Sequence, residues 1–244
     1  MTKGLTKFFE DFKAVDNVNL TLYEGTITSL VGPNGAGKTT LLNMISGVIK
    51  PTKGKIYFMG KDITGLPPYK IVKMGIARGF QLPNVCNYLT TLDNVRIAIL
   101  SHMGKVRNLF SSVDKDKEVY NKAVEILKIF GLYEKKDLLA QDLSHGDRKL
   151  LDVAMAFALE PKLILLDEPT SGVSTSEKRK IMSTIERVIR ERGITALIVE
   201  HDMDIVFSYS DRIVVMHEGK IIADGKPSEI KSDKKVESIL LGVG

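Results

Sequence analysis

An eight-residue run, GPNGAGKT at 32–39, joins a strand-like TSLV to a helix-like TLLNMIS. The G-x-x-x-x-G-K-T spacing in that setting suits phosphate binding. Its glycines let the backbone curl, so that successive N–H groups face phosphate oxygens at the positive end of a helix. Pro33 has no N–H, so the donors must come from Asn34, Gly35, Ala36, Gly37, Lys38, Thr39 and Thr40. Lys38 can reach β- and γ-phosphates, and the Thr39 hydroxyl can ligate Mg²⁺. A glycine-rich turn that binds nothing is the competing reading, and the completeness of the pattern argues against it.

A second run, LILLDE at 163–168, is an apolar strand ending in two adjacent carboxylates. Burying two such charges is expensive unless a cation or a proton-transfer role offsets the cost. Asp167 suits Mg²⁺, through a water, and Glu168 suits polarising an attacking water as a general base. Alone, the hexapeptide could be a strand end with solvated acids. Beside the phosphate loop it completes the outline of a nucleoside-triphosphate hydrolysing site.

Other elements must position these residues. Short apolar runs at 26–32, 163–169, 195–201 and 211–219 read as buried parallel strands of an α/β sheet, and 55–59 adds a strand followed by a turn. The stretch 92–159 contains no convincing strand. Within it, Ala123, Val124, Ile126, Leu127 and Phe130 recur with helical spacing, which predicts an amphipathic helix over 119–130 ending at Gly131. The polar run 108–117 reads as a loop. The middle is therefore a helical insertion in an α/β core rather than an independent domain.

Composition narrows the class. With 43% hydrophobic and 27% charged residues the chain is ordinary globular protein. No apolar run approaches the ~20 residues needed to cross a bilayer, and residues 1–13 hold no signal-peptide core. A soluble, cytosolic chain is expected, held at any membrane by another subunit. Its one cysteine, Cys86, excludes an internal disulfide and reads as a small buried or half-buried side chain. The net charge of +5 is spread over scattered lysines, so it is weak support for nucleic-acid binding.

Further motifs lie in a fixed order: Phe9, the loop 32–39, Gln81 in GFQLP, LSHGD (143–147), LILLDE, SGVS (171–174) and VEHD (199–202). With these the chain resembles the ATP-binding-cassette (ABC) ATPases over essentially its whole length. That resemblance implies an α/β P-loop NTPase (RecA-like) core with an N-terminal antiparallel β subdomain. The core would span 1–84 and 160–244, and 85–159 would form an inserted helical subdomain carrying LSHGD. It also implies roles. Phe9 would stack on adenine, although a core Phe beside Phe8 and Phe12 is the rival reading. Gln81 would ligate Mg²⁺ or the attacking water, and His201 would contact the γ-phosphate, although a lone His more often caps a helix or lies at the surface. Ser144 and Gly146 would meet the γ-phosphate held by a second subunit, and Ser144 could cap its own helix as well. His102 and His217 match nothing and read as surface or loop residues.

Two departures stand out. The family pattern LSGGQ appears as LSHGD, with His145 and Asp147 substituted, and Ser174 stands where an Asp is usual. Within the family, GIARGFQ, SGVS, VEHDMDIV and the closing ESILLG resemble the ATPase subunits of branched-chain amino-acid, amide and urea importers. The implied protein uses ATP and Mg²⁺ and pairs with a second cassette, identical or paralogous. It would drive integral membrane permease subunits and, indirectly, a solute-binding protein. It would lie on the inner face of the membrane through the permease, with 82–91 as the docking segment and no nucleic acid involved. Two alternatives are an ABC-type ATPase acting on nucleic acid or ribosomes, and a P-loop kinase or GTPase. The first lacks a coiled-coil insert and a second cassette; the second lacks an N-K-x-D base-reading motif.

Overall fold

A computed structural model describes residues 1–79, 84–104 and 117–241. The chain opens with a hairpin, β1 (Thr2–Phe9) and β2 (Phe12–Val18), followed by β3 (Ile27–Val31) and α1 (Lys38–Ile45). Strands β4 (Lys53–Phe58) and β5 (Lys61–Asp62), helix α2 (Pro68–Lys73) and strand β6 (Ile76–Gly79) come next. The middle holds α3 (Thr91–His102), α4 (Lys117–Ile129) and α5 (His145–Phe157). Then β7 (Leu163–Asp167), α6 (Thr175–Arg192), β8 (Thr195–Val199), α7 (Met203–Tyr209) and β9 (Arg212–His217) alternate. Strand β10 (Lys220–Gly225) and helices α8 (Pro227–Ser232) and α9 (Lys234–Leu241) close the chain.

Two sheets result. One is antiparallel, in the order β2-β1-β4-β5; the other runs β10-β9-β3-β8-β7-β6. In the second, β9, β3, β8, β7 and β6 are mutually parallel, and β10 is an antiparallel edge. Parallel strands must be covered on both faces, and alternation in β7 and β8 does this. Ile164, Leu166, Ala196 and Ile198 enter one apolar cluster, shared with α3, α4, α5 and α6. Leu163, Leu165, Leu197 and Val199 enter another, shared with α1 and the antiparallel sheet. The middle helices therefore share a core with the sheet.

The five strand predictions coincide with β3, β4, β7, β8 and β9, and no strand occurs among the described residues of 92–159. Helix α4 ends as its sequence requires. Gly131 takes φ +70°, its N–H donates to the Lys128 carbonyl, and the Leu132 N–H donates to the Leu127 carbonyl at 2.8 Å. Most of the predicted loop 108–117 lies outside the described residues, and Lys117 opens α4. Cys86 departs from expectation. It is exposed, because the Asn94 side chain holds its backbone N–H and carbonyl while the thiol gains no cover.

Candidate functional site

Parallel strands align their carboxyl ends, and the candidate residues follow those ends. The loop 32–39 leaves β3, Asp167 closes β7 and leads to Glu168, and Glu200 and His201 follow β8. Ligand sites in open α/β sheets form at this edge.

The loop depends on glycine at two positions. A Cβ on Gly32 (φ +149°) would sit 2.0 Å from the Met216 carbonyl oxygen, and one on Gly37 (φ +96°) 2.3 Å from that of Ala14. Gly37 caps α1 with no side-chain hydrogen bond, and the first turn of α1 contains no acid. Its leading N–H groups thus face outward without a competing anion, as a phosphate site requires. Lys38 folds back over the loop, donating from Nζ to the carbonyls of Gly32 at 2.7 Å and Pro33 at 2.9 Å. Burial pushes its pKa down, and the charges of Glu168 and Asp167 oppose that shift. Asn34, Gly35 and Thr39 are exposed at the loop's rim, Thr40 is half-buried and Ala36 is buried beneath.

Asp167 is 3% exposed and its Oδ2 accepts from Arg78 at 3.1 Å. Its Oδ1 is buried and has no hydrogen-bond partner among the described residues, an oxygen that fits the water shell of a cation. Burial raises the Asp167 pKa against the Arg78 charge. Arg78 also donates to Asn43 and Ser46 of α1 and its C-cap, tying β6 and β7 to the helix behind the phosphate loop. Among the described residues no group of three His, Cys, Asp or Glu could hold a metal, so any Mg²⁺ would rely on few protein oxygens and on phosphate.

Glu168 has φ +50°, a left-handed conformation that costs a non-glycine residue about 1–3 kcal/mol. The turn aims its carboxylate back across the sheet edge, where Oε1 lies 2.8 Å from His201 Nε2. Two further buried groups hold this turn. Lys149 of α5, 2% exposed, donates to the Glu168 carbonyl at 3.2 Å and the Ser171 hydroxyl at 2.9 Å. Glu200, 3% exposed, accepts from the Thr170 N–H and hydroxyl at 3.1 and 2.8 Å. Lys149 has no sequence signal of its own, since a lone Lys on a helix is ordinarily solvated, and Glu200 is visible only as part of VEHD. Arg78 was visible only as part of GIARGFQ.

A groove of about 320 Å³ beside the loop is lined by Phe12, Lys13, Pro33, Asn34, Gly35, Ala36, His217 and Glu218. Its aromatic is Phe12, not Phe9. The β1–β2 register pairs Phe9 with Phe12, but Phe12 opens β2, the strand that runs on past Gly37. Phe9 closes β1, with the Lys7 ammonium over its ring at 5.1 Å. His217, read as a surface or loop residue, instead ends β9, half-buried at this groove, whereas His102 is exposed at the end of α3 as expected. A smaller apolar cavity of about 240 Å³ lies between the sheets, lined by residues that include Ile45, Ile56, Phe58 and Ile63, with nothing from 32–39.

Ser144 and Gly146 do not line the nucleotide-side groove. Ser144 caps α5, its Oγ accepting from the Asp147 N–H at 3.2 Å and donating to Asp147 Oδ2 at 2.7 Å. Gly146 is buried; a Cβ there would lie 3.2 Å from Glu177 Oε1. The His145 ring packs on Gly172 (φ +76°), joining LSHGD to SGVS. Ser174 caps α6 in a reciprocal box with Glu177. Gln81 lies outside the described residues.

The ABC transporter family model matches residues 15–171. A probable branched-chain amino acid transport ATP-binding protein, LivG, of Archaeoglobus fulgidus is 41% identical, over 99% of this chain and 94% of its own length. The ADP conformation of an ATP-binding cassette of an ABC transporter superposes with a TM-score of 0.87 at 36% identity, covering 99% of this chain and 97% of that one. A dimeric cassette in a post-hydrolysis state bound to ADP and Pi gives 0.79 at 30% identity, covering 93% and 97%.

Proposed function

The chain belongs to the ABC transporter family of ATP-binding proteins, and from that premise we propose that it is the ATP-hydrolysing subunit of an importer. The observation that carries the mechanism is the Glu168–His201 pair at the same sheet edge as the uncapped start of α1 and the buried Lys38.

ATP would lie along the groove beside the loop, its base against Phe12 and its phosphates on the N–H groups of 34–40. Lys38 would turn from the Gly32 and Pro33 carbonyls to the β- and γ-phosphates, exchanging two neutral acceptors for charged ones. Thr39 and Asp167, with Gln81, would hold Mg²⁺, which when bound neutralises charge on the phosphates. Glu168 Oε1 takes the proton from the attacking water, and His201 keeps that carboxylate oriented before contacting the γ-phosphate. Lys149 and Glu200 act by fixing the turn from which Glu168 projects. Arg78 acts by holding Asp167.

Ser144 and Gly146, outside the groove, would serve the γ-phosphate of a second cassette, so two chains would close around two ATP molecules. Asn84, Cys86, Asn87 and Tyr88 are exposed on a segment clamped by Asn94, which suits docking to a permease. We read 85–159 as the helical subdomain that transmits closure, and 1–84 with 160–244 as the nucleotide-binding core. No helix among the described residues is long and apolar enough to cross a membrane, so membrane association would come through the permease. The LivG relative points to branched-chain amino acids as the solute class. ATP turnover per chain should rise with protein concentration, because each site needs two chains. Turnover per chain that stays constant down to high dilution would contradict a shared site.

A further inference from the structure

The first turn of α5 differs from LSGGQ by a charge, and the fold answers that charge. The Ser144 hydroxyl has one proton, committed to Asp147 Oδ2 at 2.7 Å, while its oxygen accepts the Asp147 N–H. The same carboxylate oxygen pairs with the ammonium of Lys135, which sits on the one-turn helix Tyr133–Lys135 after α4. Burial pushes the Asp147 pKa up, but hydrogen bonds from Lys135 and Ser144, with the charges of Lys135 and Lys180, hold it below the ordinary carboxylate range. Glu177 brings a further carboxylate close to Gly146.

A carboxylate in a first helical turn competes with any second anion brought to the same helix end. Glutamine at this position is neutral; Asp147 is not. A γ-phosphate arriving at Ser144 would meet a hydroxyl whose proton is already used and a negative charge within one turn. Lys135 is the cation placed to cancel that charge.

Resting on the reading that the α5 N-terminus meets a partner's γ-phosphate, we propose that Lys135 and Asp147 are a positioning pair setting the strength of ATP-driven dimerisation. Asp147 holds the Ser144 hydroxyl in the resting chain, and Lys135 neutralises Asp147 so that the phosphate can displace it. Lys135 acts through Asp147 and does not itself ligate phosphate.

The test is a double-mutant cycle in the Glu168→Gln chain, reading the ATP-dependent dimerisation constant by sedimentation. ATP affinity at concentrations where the chain is monomeric, and the melting temperature, are measured alongside. Lys135→Met should weaken dimerisation about tenfold, with monomer ATP affinity unchanged within about twofold. Lys135→Arg should restore it. Asp147→Gln should dimerise at least as tightly as the parent, and in that background Lys135→Met should have no effect. No loss with Lys135→Met, or an equal loss in the Asp147→Gln background, would overturn the pairing; the second result would make Lys135 a direct phosphate ligand. Ser144→Leu separates this inference from its premise. If that variant dimerises normally, α5 does not face the phosphate and both fall; if it fails to dimerise while Lys135→Met is silent, the pair alone falls.

Discussion

Two helix N-termini, α1 and α5, would meet one phosphate from opposite sides in the proposed dimer, and they are capped in opposite ways. Helix α1 begins at Gly37 with no side-chain cap and no acid in its first turn. Helix α5 begins at Ser144 with its cap bond made and Asp147 in its first turn. The two ends thus have different resting needs. The loop end stays open toward solvent, with Lys38 parked on carbonyls, ready for a ligand that binds the single chain. The α5 end is satisfied internally, and on the proposed function a second chain would deliver the phosphate to it. Helix α6 supplies a control, because Ser174 and Glu177 close a full capping box that leaves nothing for a ligand.

The largest effect expected at the loop end comes from its proton acceptor. Glu168→Gln should lower ATP turnover by about 10²-fold or more while leaving ATP binding intact. Turnover near the parent's would transfer the base to another residue. Next, Lys38→Ala should weaken ATP affinity by about tenfold or more, because the buried ammonium is the loop's only side-chain cation within 32–39. An unchanged titration would remove Lys38 from the site. Two capping serines, Ser174 and Ser144, distinguish a cap from a ligand group. Ser174→Ala should cost about 1 kcal/mol of stability and leave ATP affinity and dimerisation alone. Ser144→Ala should cost a similar stability and weaken ATP-driven dimerisation besides. Equal behaviour of the two variants in dimerisation would reduce Ser144 to a cap.

The smallest expected effect is on pH dependence. Burial raises the Glu200 pKa, against hydrogen bonds from Thr170. The folded chain holds that proton more tightly than the unfolded one, whose ordinary value is 4.5. This contribution to stability is full below about pH 4.5 and is lost as pH rises through the folded value. Glu200→Gln should therefore flatten the fall in melting temperature on the alkaline side of pH 4.5. An identical profile would mean another group carries it.

What was legible in the sequence was local. The phosphate loop and the Asp167–Glu168 pair are contiguous, and their spacing alone fixes which atoms converge. The strands β3, β7 and β8 were legible because they are buried throughout, and β9 because its four central residues, 213–216, are buried and apolar. The hairpin β1–β2, the four-residue β6 and the edge strand β10 were not read from residues, since β10 alternates half-buried and exposed positions and β6 contains Arg78. Arg78, Lys149 and Glu200 were hidden because their partners lie 19 to 89 residues away. Phe12 and Phe9 could not be separated without the hairpin register. The antiparallel subdomain came from resemblance, not from periodicity.

In the proposed dimer, ATP bound at α1 of one chain is completed by α5 of another. Sedimentation of the Glu168→Gln chain with and without ATP decides this. The chain should be a monomer without nucleotide and, with ATP, a dimer holding two ATP molecules. A chain that binds ATP stoichiometrically yet stays monomeric at high concentration would contradict it.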